Sequence, residues 1–190
     1  VRVMMHREVD YRLEADTTQR FGQMLKGDDR FIVPEILLEY STPHVMATSY
    51  EPGLSVSSEP ILALPQSRRN KLAKSALELF LKELFNWKEI QTDPNFGNYR
   101  VRLADSEHAE DRIVLLDFGA VQKYPDEFID PVCDMIYASY SRDLKRVISG
   151  GIKLNFMHDD WPEKVLQEFG EVCMGVLEPL AEHGVDVPEY

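Results

Sequence analysis

The pattern of apolar and polar positions divides the chain into a mixed beginning, one long helix, a hairpin and a helical end. Over residues 3–26, Val3, Val9, Leu13, Phe21, Met24 and Leu25 recur near helical spacing, with Glu8, Asp10, Arg12, Glu14 and Arg20 on the polar faces. This predicts an amphipathic helix with Gly27 as its C-cap. Two apolar runs, 31–40 and 44–50, are split by the turn cluster Ser41-Thr42-Pro43 and read as an antiparallel strand pair, with Pro34 holding the first at an edge. Glu51-Pro52-Gly53 breaks the pattern, and the Ser- and Pro-rich stretch to Gln66 reads as a connector with at most a short helix. Leu72, Ala76, Leu79, Phe80, Glu83, Leu84 and Trp87 then form the stripe of a long helix over 67–87, with Ser67 as N-cap. Residues 98–103 and 112–116 read as a hairpin around an acidic tip, 104–111. Helical periodicity returns at 128–140, 142–148 and 161–183, with Gly150-Gly151 as a break. The sum is an α+β chain without repeats.

Composition narrows the class. A chain of 190 residues, 44% hydrophobic and 28% charged, can bury a sizeable core, as one domain or as one lobe plus part of another. Its 21 Lys and Arg against 33 Asp and Glu leave a formal charge of −12, which argues against a broad nucleic-acid face but not against a nucleotide held by a few donors and a metal ion. Cys133 and Cys173 stand far apart with no CxxC pair, so free thiols in a reducing compartment are expected rather than zinc or a disulfide scaffold. There is no run of 18 apolar residues. The chain begins with Val rather than Met and reads as a processed or truncated product.

Three stretches carry chemistry. Gln91-Thr92-Asp93-Pro94-Asn95-Phe96-Gly97-Asn98 follows the long helix and contains Asp-x-x-x-x-Asn, the spacing that in phosphoryl transfer sets a carboxylate near the attacking oxygen and an amide oxygen on a metal ion. Leu115-Leu116-Asp117-Phe118-Gly119 delivers an Asp at a strand end, where it can hold magnesium bridging phosphates while Phe118 docks beneath. Glu14, on the first helix, could pair with a phosphate-gripping lysine. Singly, each has a plain reading as a turn or a solvated charge. Their order along the chain is that of the later two-thirds of a protein-kinase domain, and Asn98 and Asp117 flank one hairpin that would bring them together.

Glu8-Val9-Asp10-Tyr11-Arg12-Leu13-Glu14-Ala15, Val33-Pro34-Glu35, the Gln91–Asn98 run and Leu115-Leu116-Asp117-Phe118-Gly119-Ala120 resemble the UbiB-type atypical kinases, and within them the mitochondrial ubiquinone-biosynthesis members. Gln-Thr-Asp-Pro-Asn, in place of the His-Arg-Asp of ordinary protein kinases, is the most specific of these motifs. The resemblance implies a protein-kinase-like fold. Residues 1–53 would form a partial N-lobe with the glutamate-bearing helix, two or more antiparallel strands and the hinge; residues 54–190 would form a mainly helical C-lobe. It implies that Asp93 is the catalytic-loop aspartate, that Asn98 and Asp117 hold metal, and that Glu14 pairs with the lysine. It further implies that Glu8 and Asp10 form a Glu-x-Asp motif engaging an N-terminal segment over the active site, and that Ser49, Tyr50 and Glu51 belong to a hinge whose backbone meets adenine. ATP and Mg2+ are the implied cofactors. Ubiquinone-biosynthesis enzymes or a lipid precursor are the implied partners, with peripheral membrane contact at the matrix side of the mitochondrial inner membrane.

The departures carry an expectation of their own. The family's Lys-x-Gly-Gln segment, alanine-rich nucleotide loop and phosphate-gripping lysine precede the first helix, whereas the first lysine here is Lys26, after Glu14. Little phosphoryl transfer is therefore expected from these 190 residues alone. The competing reading from another class is a pseudokinase-like scaffold that binds nucleotide, lipid precursor or partner enzymes without turnover. No Ala-Pro-Glu motif follows Asp117, so the usual platform for a peptide substrate is not expected.

Overall fold

The structure is a computed structural model describing residues 11–190; Glu8 and Asp10 lie outside the described residues. Helix α1 (Tyr11–Met24) buries Ala15, Thr17, Thr18 and Phe21. The two buried hydroxyls are satisfied within the helix, Thr17 Oγ1 donating to Leu13 O and Thr18 Oγ1 to Glu14 O, both at 2.8 Å. Gly27, at φ +91°, closes the helix in the left-handed conformation expected of a C-cap glycine.

The two apolar runs after it do not pair as one hairpin. Only Phe31–Ile32 (β1) is a strand, and it runs parallel to β5 (Arg112–Leu115), with Phe31 opposite Ile113 and Ile32 opposite Val114. Pro34 has no N–H to continue a ladder. Beyond it the runs do face each other antiparallel, but through the isolated bridges Ile36–Thr48 and Thr42–Val45 and bonds such as Leu37 N to Ala47 O rather than a continuous strand ladder, and Leu38–Tyr40 coils into a 3-10 turn. A four-stranded sheet of order β1-β5-β4-β2 is completed by β2 (Leu54–Ser55) and β4 (Tyr99–Arg102). The β4–β5 pair is the expected hairpin, antiparallel from Tyr99 opposite Leu115 to Arg102 opposite Arg112. Val101, Ile113, Val114 and Leu115 are buried in it, each contributing about 1.5–3 kcal/mol on removal from water. A short helix, α2 (Glu59–Leu62), lies in the connector. A second sheet, of two strands, pairs β3 (Glu89–Gln91) with β6 (Val121–Lys123).

The described residues group into two compact units: those up to Ala76 with Gln91–Gln122, and Leu77–Ile90 with Lys123–Tyr190. Helix α3 (Gln66–Leu81) starts one residue before the expected cap: Arg68 N and Arg69 N donate to Pro65 O at 3.0 and 3.2 Å, and Ser67 lies inside the first turn. The helix widens into a π-helical turn, Lys82–Trp87, ended by Lys88 in the left-handed conformation at φ +55°. Lys88 Nζ donates to Asp126 Oδ1 and Asp130 Oδ1, each at 2.8 Å, and these bonds hold its ammonium pKa well above the ordinary range.

The second unit is otherwise α4 (Asp126–Tyr140), α5 (Leu144–Lys153) and α6 (Glu163–Glu182), with Leu81, Leu84, Phe85, Ile129, Cys133, Val185 and Val187 in one apolar cluster. Gly150 and Gly151 do not break the chain; they lie inside α5. A Cβ on Gly150 would come within 2.9 Å of Met135 Cβ, and one on Gly151 within 2.6 Å of Met157 Cε. The pair is small because neighbouring side chains press on the helix there. No helix among the described residues is long and apolar enough to cross a membrane.

Candidate active site

The candidate residues that the structure describes all fall in the first unit, on α1, the segment 49–51, the loop after β3 and the end of β5. Strand β5 is buried at Ile113, Val114 and Leu115 and then emerges, so that Asp117 is partly exposed while Phe118 turns back into the core. The Phe118 ring packs on Phe21 of α1 with centroids 5.0 Å apart, which ties the aspartate-bearing turn to the glutamate-bearing helix. Asp117 Oδ1 accepts from Gly119 N at 2.8 Å, an Asx-type turn that holds the carboxylate in one orientation.

Glu14 reaches the same turn. A Cβ placed on Gly119 would lie 3.3 Å from Asp117 Oδ1 and 3.5 Å from Glu14 Oε2, so the two carboxylates flank one glycine. Burial, and then the charge of Asp117, push the Glu14 carboxyl pKa up. Among the described residues no cation offsets this pair of acids, which makes the turn a place for a positive charge.

The loop after β3 is held by its own side chains. Asn95 Oδ1 accepts from Gly97 N at 2.8 Å and starts the 3-10 turn Phe96–Asn98. Asn98 Nδ2 donates to Asp93 O at 3.5 Å, and Leu116 N donates to Asn98 O at 3.0 Å. Asn98 thus ties Asp93, through its side-chain amide, to the strand leading into Asp117, through its backbone carbonyl. Asp93 itself is exposed, its carboxylate open to an incoming group. Thr92 binds Ala120 O twice, through N–H at 3.1 Å and Oγ1 at 2.6 Å. Gln91 Oε1 accepts from Asp93 N at 3.1 Å, and Gln91 Nε2 donates to Asp117 O at 2.8 Å.

The segment 49–51, expected from the resemblance to be a hinge, is pinned by its side chains as well. Ser49 N donates to Glu35 O at 2.8 Å, and Glu35 N donates to Ser49 Oγ at 2.9 Å. Ser49 Oγ donates in turn to Glu51 Oε1 at 2.9 Å. Arg102 of β4 donates from Nη2 to Glu51 Oε2 at 2.6 Å and from Nε to Pro52 O at 3.0 Å. Ser49 and the Glu51 carboxylate are therefore committed to the segment's shape, and the Tyr50 ring, 88% exposed, projects into solvent.

The structure thus brings Glu14 to Asp117, Asp93 to Asn98 and, through Gln91, Asp93 to Asp117. Gln91 and Arg102 are the members that sequence reading missed. Gln91 stood inside the motif without a role, and nothing local marks Arg102 as the partner of Glu51, some fifty positions away.

The donor set fits magnesium. Asp117 supplies a carboxylate and Asn98 an amide oxygen, both hard ligands, and Mg2+ characteristically takes one or two protein oxygens with phosphates and water completing its octahedron. No group of three or more His, Cys, Asp or Glu placed to hold a metal occurs among the described residues.

The family model for the ABC1 atypical kinase-like domain matches residues 1–150. The mitochondrial atypical kinase COQ8B of Danio rerio is 35% identical over 150 residues, covering 79% of this chain and 23% of that protein. The mitochondrial atypical kinase coq-8 of Caenorhabditis elegans is 33% identical over 153 residues, covering 80% of this chain and 20% of that protein. The chain therefore spans about a fifth of the length of these curated relatives. Among solved structures, the Rv3197–erythromycin complex from Mycobacterium tuberculosis superposes with a TM-score of 0.68 at 19% identity, over 97% of this chain and 48% of that one, a likeness of fold alone. With its glutamate helix, catalytic-type loop and strand-end Asp-Phe-Gly in order and residues 1–150 matched, the chain belongs to the ABC1 atypical kinase-like domain family and has a kinase-like α+β fold.

Proposed function

We propose that the chain is the nucleotide-handling part of an atypical kinase or ATPase that binds ATP with Mg2+, its N-lobe portion ending near Gly53. The observation that supports this best is the bonded path from Asn98 through Asp93 and Gln91 to Asp117, which ties the backbones of the two aspartates and the Asn98 amide together in one unit. Asn98 and Asp117 would hold the metal, which when bound would neutralise phosphate charge. Asp93 would orient an acceptor hydroxyl or a water by accepting its hydrogen bond. Glu14 would fix a cation beside Asp117, the part played in kinases by a lysine. The Tyr50 and Glu51 backbone would meet adenine.

The relatives' names place them in mitochondria, and the resemblance to ubiquinone-biosynthesis members extends the reading. The whole protein would act at the matrix side of the inner membrane, supporting ubiquinone assembly alongside the other biosynthetic enzymes or a lipid precursor. The decisive test is thermal melting with ATP and magnesium against ATP and EDTA. A ligand present at a hundred times its Kd adds about 2.7 kcal/mol, a rise of roughly 5–10 °C for a chain of this size. That rise is expected in the wild type with metal and is lost in Asp117→Asn.

One observation favours a second reading. Among the described residues no cation offsets the Glu14 carboxyl, which burial and then the charge of Asp117 push up. A scaffold that binds nucleotide or a partner without turnover accommodates this. Equal melting with magnesium and with EDTA would support it.

A further inference from the structure

We propose that Gln91 is a positioning residue that sets the register between Asp93 and Asp117 by engaging both of their backbones with one side-chain amide. Its consequence for metal and nucleotide rests on the function proposed above; its structural part does not. A primary amide presents an acceptor and a donor at opposed ends of one rigid plane. Here the acceptor Oε1 faces the Asp93 N–H at 3.1 Å and the donor Nε2 faces the Asp117 carbonyl at 2.8 Å. The opposite flip would set nitrogen against N–H and oxygen against carbonyl, so the two partners dictate the orientation.

The neighbouring residue does a different job. Thr92 binds only Ala120 O, which holds the main chain but touches neither carboxylate residue. At Asp117 the Gln91 bond fixes the carbonyl while Gly119 N fixes Oδ1, so backbone and side chain of that residue are both held. At Asp93 the Gln91 bond fixes the N–H while Asn98 Nδ2 fixes the carbonyl. Gln91 is thus the middle link of the path from Asn98 to Asp117. Displacement of reacting groups by about 1 Å costs on the order of a hundredfold in rate, so a link of this kind governs the site without touching substrate.

The test uses the 190-residue chain with three substitutions and two readouts. Gln91→Met keeps the length of the side chain and removes both bonds. Gln91→Glu keeps the acceptor but sets a second oxygen against the Asp117 carbonyl until protonation restores a donor. Thr92→Val removes a bond of the same loop that does not reach Asp117. The ligand-free readout is hydrogen exchange of the Asp93 amide followed by NMR, expected to quicken roughly tenfold in Gln91→Met, the loss of one hydrogen bond. The second readout is affinity for Mn2+–ATP against ATP in EDTA. Gln91→Met should weaken the former roughly tenfold and leave the latter alone, Thr92→Val should change both less than about twofold, and Gln91→Glu should recover as pH falls through its carboxyl titration.

Unchanged Asp93 exchange in Gln91→Met overturns the proposal, as does an equal loss of metal–nucleotide affinity in Thr92→Val. If Gln91→Met does not fold, the protection of the Asp93 amide in Gln91→Glu, taken at each pH as the intrinsic exchange rate over the observed one, decides the matter within one protein, and protection that does not change through the titration of the introduced carboxyl overturns it. Wild-type chain that ignores Mn2+–ATP would refute the proposed function, and the exchange readout would still decide the role of Gln91.

Discussion

Glu14 sits partly buried beside Asp117, and burial first, then that charge, lift its carboxyl above the ordinary 4.5. The native state therefore holds a proton that the unfolded chain releases, and folding stability falls as pH rises from that ordinary value through the raised one. Below 4.5 the penalty is absent, and above the raised value it is fully present. Glu14→Gln should accordingly melt higher than wild type at pH 7–8, by on the order of 1–3 °C, with the gap closing as the pH is taken below 4.5. A constant gap across that range would mean that charge is not the cause. Cys133 is a residue of the opposite kind. Its Sγ is fully buried against Leu84 O at 3.7 Å, and burial, helped by Asp130, pushes the thiol up to about 11. Thiolate is the reactive form. Iodoacetamide at pH 8 should therefore modify the partly exposed Cys173 first and reach Cys133 only as the chain unfolds, as peptide mass mapping would show.

At the scale of elements, glycines separate packing from propensity. Gly150 lies in α5 where a Cβ would meet Met135 Cβ at 2.9 Å, an atom too close to its own backbone to move aside. Gly150→Ala should lower stability by about 1–3 kcal/mol in denaturant titration despite the better helix propensity of alanine. Gly175, in α6, has nothing within 4 Å of a Cβ. Gly175→Ala should raise stability by about 0.5–1 kcal/mol, because alanine loses less backbone freedom on folding and meets no obstacle. Equal signs for the two would overturn the packing account of α5. The Gly175 change also marks an open face of α6, where Val172 and Val176 are exposed.

At the scale of the whole molecule, the site residues are gathered, and among the described residues no cation offsets the charge of Asp117 at Glu14. Assayed as these 190 residues, the chain should turn over magnesium and ATP at close to the enzyme-free rate, even where it binds them. Phosphate release well above background, abolished in Asp117→Asn, would contradict this and assign the cation's work to another group.

What the sequence determined by itself was local. The spacing of Phe21, Met24 and Leu25 with Gly27 marked α1 and its end, because apolar period and left-handed capping are properties of a few adjacent residues. The β4–β5 hairpin was legible for the same reason, and the order of Glu14, Asp93, Asn98 and Asp117 identified the family and its kinase-like fold. What lay beyond local pattern was left to the tertiary structure. β1 leaves its sequence neighbour to pair in parallel with β5, some eighty residues on, once Pro34 has ended the ladder. Gly150 and Gly151 resemble a break until the atoms that crowd them are known. Glu51 finds Arg102, and Gln91 joins Asp93 to Asp117, through bonds whose partners are adjacent only after folding. Periodicity states which face of an element is buried; which surface buries it, and which polar groups are thereby brought within bonding distance, is decided only when distant segments meet.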